Sequence, residues 1–165
     1  MKNLNIYILV CDKYHFLIKP FCYLFNKFWG LDQKVIFLGY KKVTYELPSN
    51  FSFISLGSDL GPLKWSNPLI KFFNNLQESH FILGLEDTLL TGPFNKNIFS
   101  ILIKELSNPD VGRIHLSRDI VTRPHYLYKK IDKDFSIIEA KEDALFRVSL
   151  GTWSIWNKEY FLKYL

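Results

Sequence analysis

Glu86 and Asp87 are neighbouring carboxylates at the end of an apolar run, Phe81 to Leu85, that carries no charge. Such a run can be buried on both faces, as strands of a parallel sheet flanked by helices are. The two acids then emerge at the rim of the sheet, where open α/β folds bind ligands. A pair of acids there can hold a hard divalent cation, and the cation can neutralise the phosphates of a nucleotide. The plainer reading of the same residues is a solvated boundary between strand and loop.

Basic side chains that could meet phosphate stand at Lys13, Arg118 and Arg123, each beyond the end of an apolar run. Trp153 and Trp156, three residues apart, offer rings for the apolar faces of sugars, although large aromatics of this sort also serve as core plugs. The four histidines, His15, His80, His115 and His125, lack metal-ligand spacing and read as structural or surface groups. Asp119, Asp143 and Glu159 are all carboxylates able to act as a base, and none has a positional signature, so no catalytic base is assigned.

The elements that must position these residues alternate in type. Leu4 to Val10 reads as a strand ending at Cys11-Asp12-Lys13, and Leu17, Phe21, Leu24, Phe25 and Phe28 follow at helical spacing until Gly30. Lys34 to Leu38 and Phe51 to Leu56 read as strands, and Asn67-Pro68 as the cap and first turn of a helix with Leu69, Phe72, Phe73 and Leu76 buried. After the acidic strand comes a helix with Ile98, Ile101, Leu102 and Leu106 inward, then a short strand from Arg113 to Leu116. Beyond it lie aromatic or alternating segments around Tyr126 and from Phe135 to Ile138, a strand from Phe146 to Leu150, and a closing helix from Asn157 that buries Tyr160, Phe161 and Tyr164. The expected fold is α/β, a mostly parallel central sheet flanked by helices, with a C-terminal α+β appendage, all in a single domain over residues 1–165.

Composition agrees with a compact domain. The chain has 165 residues, 48% hydrophobic and 17% aromatic, which excludes disorder and allows a substantial core. A formal charge of +5 suits anionic partners, but the lysines are scattered and form no continuous stripe of the kind that marks a nucleic-acid binder. Cys11 and Cys22 lack zinc or disulfide spacing, which points to a reducing compartment. No apolar stretch is long enough to span a bilayer, so a soluble, cytoplasmic protein is expected.

In order, these motifs resemble the small bacterial and viral glycosyltransferases of the GT-A type. The resemblance rests on the polar triplet Cys11-Asp12-Lys13, the helix start Trp65-Ser66, the acidic strand end Leu85-Glu86-Asp87, and the closing aromatic segments Val148 to Trp153 and Trp156 to Leu162. It implies a Rossmann-like fold and transfer of a sugar from a nucleotide-diphosphate donor to a carbohydrate acceptor. It further implies that Asp12, Lys13, Trp65 and Glu86 meet the donor, that Trp153 and Trp156 wall the sugar or acceptor cleft, and that Asp87 holds a manganese or magnesium ion.

This sequence departs from that family's pattern in two respects. The usual acidic motif separates two aspartates by one residue, whereas here Glu86 and Asp87 adjoin and Thr88 follows. Such enzymes also continue into a segment that supplies a catalytic acid, and the sequence given stops at Leu165. A non-catalytic binding or assembly module with the same fold is the alternative expectation.

Overall fold

The computed structural model describes residues 4–117, 123–144 and 152–165. Its centre is a six-stranded sheet built from β1 (Ile6–Leu9), β2 (Val35–Gly39), β3 (Phe51–Ser55), β4 (His80–Leu85), β5 (Arg113–His115) and β8 (Ser154–Asn157), in the order β3-β2-β1-β4-β8-β5. The pairs β3–β2, β2–β1 and β1–β4 are parallel, and β8 runs antiparallel to both β4 and β5. The α/β class expected from the alternating elements is thus the one observed.

Period-two alternation sends successive residues of each strand into different cores. Ile6, Ile8, Val35, Phe37 and Ile82 face one side, where they meet Phe21 and Phe25 of α1 (Ile18–Phe28) and the partly buried Phe99 and Leu102 of α3 (Lys96–Glu105). Tyr7, Leu38, Phe81 and Leu83 face the other, against Leu69 and Phe73 of α2 (Ser66–Asn74) and Phe161 of α4 (Lys158–Leu162). Both faces are therefore dry, which is why the central strands read as unbroken apolar runs.

The local signals hold with small shifts. Gly30 ends α1 with a φ of +118°, a conformation that only glycine adopts without strain. The Asn157 side chain caps α4 by accepting the Tyr160 N–H at 3.0 Å, although only Phe161 of the expected aromatic trio is fully enclosed and Tyr164 is exposed. At α2 the helix begins at Ser66, two residues earlier than the Asn67-Pro68 pair implies.

The last third differs most from the expectation. Only the hairpin of β6 (His125–Lys130) and β7 (Ser136–Ala140) stands apart as a two-stranded sheet. The Trp153 to Asn157 stretch returns and inserts β8 between β4 and β5. The expected strand from Phe146 to Leu150 lies outside the described residues, as do Arg118 and Asp119.

That insertion corrects the roles expected for two tryptophans. Trp156 is 0% exposed, packed against Phe161 and beneath the Arg113 guanidinium. Trp153 is 7% exposed and stacks on Phe21 at 5.9 Å between ring centroids. A wall for a sugar must present its face to solvent, and both indoles spend theirs on the interior. They are core side chains flanking an internal strand.

Candidate functional site

Strand order defines the crevice. From β1 the chain steps to β2 and β3 on one side, then returns past α2 to place β4 on the other side of β1. The order reverses between β1 and β4, and ligands of open α/β sheets bind outside the carboxyl ends of strands at such a switch point. The segments that leave those ends are Val10 to Lys13 after β1 and Glu86 to Thr88 after β4.

The two ends are laced together through Glu86. Its backbone N–H donates to the Leu9 carbonyl at 3.2 Å, and its side-chain Oε1 accepts the Cys11 N–H at 2.8 Å. Glu86 is 5% exposed, so it is a structural tie within the floor of the crevice. Burial raises its carboxyl above the ordinary range, opposed by the bond from the Cys11 N–H and by its own backbone, with the neighbouring Asp87 adding to the rise and His15 easing it.

Asp87, one residue on, is exposed. The turn that presents it is closed by Thr88, whose Oγ1 donates to the Leu85 carbonyl at 2.8 Å and whose own carbonyl accepts the Trp153 indole N–H at 2.8 Å. Gly84 lies directly under that indole: a Cβ there would sit 3.1 Å from both Trp153 and Ile8. The glycine thus allows Trp153 to reach the turn.

Asp12 occupies the other wall. Its Oδ1 accepts the Lys41 N–H at 3.0 Å, which joins the ends of β1 and β2. Lys13 beside it is exposed, its ammonium 5.2 Å from the centre of the Tyr14 ring. Burial raises the Tyr40 phenol, and the carboxylates of Asp59 and Asp12 and the thiol of Cys11 raise it further. Trp65 is 43% exposed on the loop leading into α2.

His15, read from the sequence as a structural or surface group, stands beside Asp12. Its Nε2 lies 3.6 Å from Asp12 Oδ1 and is enclosed with no hydrogen-bond partner among the described residues. The signal was the spacing of an acid and a histidine three residues apart directly after a strand, which one turn brings together.

Of the seven expected site residues, the structure gathers Asp12, Lys13, Glu86 and Asp87 around the switch point, leaves Trp65 on the following loop, and withdraws Trp153 and Trp156 into the cores. Asp143 and Glu159, two of the three carboxylates considered as a base, are exposed.

Among the described residues no group of three or more His, Cys, Asp or Glu side chains forms a ready metal cage. A magnesium or manganese ion that arrives with a diphosphate asks for few protein ligands. Such ions bind through one or two carboxylates plus phosphate oxygens and water, and Asp87 is the exposed carboxylate here, while one oxygen of Glu86 is taken by Cys11. When bound, the ion would offset charge on a departing diphosphate.

No family model matches the sequence, and no curated protein matches it. Among solved structures, HddC from Yersinia pseudotuberculosis is similar over 94% of this chain and 77% of that one, with 16% sequence identity and a TM-score of 0.43. What the crevice can do follows from its own residues, and the class they define is a Rossmann-like α/β protein with an acidic switch-point crevice.

Proposed function

We propose that this chain is a glycosyltransferase of the GT-A kind, taking a sugar from a nucleotide-diphosphate donor to a carbohydrate acceptor with the help of a divalent metal. The observation that carries this reading is the Glu86 tie at the β1–β4 switch point, which leaves the next residue, Asp87, exposed on a braced turn. In this reading Asp12 and Lys13 meet the nucleoside side of the donor. Asp87 holds the ion on the diphosphate, and Glu86 keeps the two walls at a fixed separation.

Transfer requires a leaving group whose charge is offset and reactants held in place. One carboxylate is too few for a tight protein-only metal site, so metal and nucleotide bind together. Calorimetric titration with manganese and with uridine, guanosine and deoxythymidine diphosphates tests this. Manganese alone binds weakly, one of the diphosphates binds in its presence, and Asp87→Asn removes that binding from a folded protein. Equal binding by the variant, or none by the parent chain with any diphosphate, overturns the assignment. Donor hydrolysis by the isolated chain separates an enzyme from a non-catalytic module.

A further inference from the structure

A chain of polar side chains stands at the carboxyl end of β5. Arg113 Nε donates to the Ser154 hydroxyl at 2.9 Å, and Arg113 Nη2 lies 2.9 Å from Nδ1 of His115. The Thr152 hydroxyl lies 3.0 Å from the same Nδ1, and Nε2 of His115 lies 3.0 Å from the Ser117 hydroxyl. One end of this chain is sunk in the core, where Ser154 is fully enclosed and the guanidinium covers the Trp156 ring. The other end is Ser117, half-buried just past the last residue of the strand. A guanidinium can only donate, and that sets the direction of the bonds beyond it. Nδ1 therefore accepts, the ring proton is on Nε2, and Nε2–H donates to the Ser117 oxygen. The Ser117 hydrogen is thereby turned toward a further acceptor, which none of the described residues supplies.

Strand register brings that hydroxyl level with the acidic strand end. β4 and β5 both run antiparallel to β8, and Leu83 and His115 both pair with Ser154. The Leu116 N–H carries the ladder one step further by donating to the Trp153 carbonyl at 2.9 Å. Ser117 is thus level with Leu85, the end of β4, across two strand spacings or about 10 Å of sheet. The turn that carries Asp87 begins at that end, and Trp153 bonds both to this turn through Thr88 and to Leu116 beside Ser117. A donor at the head of a chain that starts on a fixed positive charge is matched to an anionic oxygen.

We propose that Ser117 is an anion contact at this edge, its hydroxyl donating to a phosphate oxygen of the nucleotide diphosphate whose metal ion sits on Asp87. His115 is a positioning residue that keeps the hydroxyl in the donating sense, and Arg113 keeps His115 in the tautomer this requires. The inference rests on the donor reading proposed above and adds to it a phosphate contact on the flank of β4 away from Asp12.

Titration with nucleoside diphosphates and with inorganic pyrophosphate, magnesium present, tests the contact. Ser117→Ala lowers affinity by about tenfold or more, and by the same factor for both kinds of ligand, because the lost bond is to phosphate. His115→Leu gives the same loss, whereas His115→Gln keeps most of the affinity, since its amide can accept from Arg113 and donate to Ser117. Nitrogen NMR of the parent imidazole shows the proton on Nε2 and a shift of the His115 signals when pyrophosphate is added, a readout that needs no variant to fold. Unchanged affinity in Ser117→Ala, equal losses in His115→Gln and His115→Leu, or a ring proton on Nδ1 would each overturn the proposal. Diphosphate binding that Asp87→Asn abolishes and Ser117→Ala leaves alone keeps the donor reading and removes this contact. Pyrophosphate binding that depends on Ser117, in a chain that binds no nucleoside diphosphate, upholds the contact and removes the donor reading. A chain that binds neither ligand removes both.

Discussion

The Glu86 carboxylate accepts the Cys11 N–H at 2.8 Å across the parallel pair β1–β4, so a side chain continues the ladder one step past the last strand residues. A buried acid in that position is held at a cost, and the cost depends on pH.

Burial raises the Glu86 carboxyl, so the folded state holds its proton more tightly than the unfolded chain does. The associated stability is fully present below the unfolded value, about 4.3 for glutamate, and is lost as pH rises through the raised folded value. Glu86→Gln keeps an acceptor oxygen for Cys11 and removes the charge. Its melting temperature relative to the parent protein is expected to be higher at pH 7 than at about pH 4. Thermal melts at both values check this, and a relative stability that falls with pH would contradict it.

Trp153 touches no solvent-facing part of the crevice, yet its indole N–H holds the Thr88 carbonyl and hence the turn that presents Asp87. Trp153→Phe keeps most of the stacking and loses that bond, for an expected cost of about 1 to 3 kcal/mol. It also weakens metal-dependent diphosphate binding. Trp156→Phe, in the opposite core, lowers stability without that second effect, so the contrast of the two in urea melts and titrations isolates a positioning role.

The two thiols should behave oppositely. Cys11 is exposed at the end of β1, whereas Cys22 is enclosed in α1 and burial pushes its thiol up to about 12. A maleimide is expected to label Cys11 alone in the native protein and Cys22 only in denaturant, as mass spectrometry of digests will report. A bound diphosphate slows labelling at Cys11. Equal labelling with and without it would move the ligand away from β1.

Much of the sheet around β1, β2 and β4 was legible because its information is local. The runs before Cys11, at Val35 to Leu38 and before Glu86 have no competing helical period, and their burial on both faces follows from that alone. The acidic strand end and its place at the sheet rim were read correctly. The division of labour between the two acids was half visible: which carboxylate is tied down depends on Cys11, seventy-five residues away in the chain. The tryptophans were misread for the same reason. Ser154 to Asn157 is four residues long, and only its pairing with β4 and β5 makes it an interior strand. The enclosed His15 nitrogen is a fact of packing, which no spacing rule displays.

The antiparallel insertion of β8 sets the order of assembly. Among the described residues β5 pairs with β8 alone, and His80 pairs with Asn157, so that rung must wait for a chain segment made much later. Trp153 arrives with the same segment. During synthesis, then, β1 to β3 are able to gather early, while the turn that carries Asp87 has only its own Thr88 to hold it until the late strand threads into place. A nascent chain caught before that moment would lack Trp153 from one core and Trp156 and Phe161 from the other.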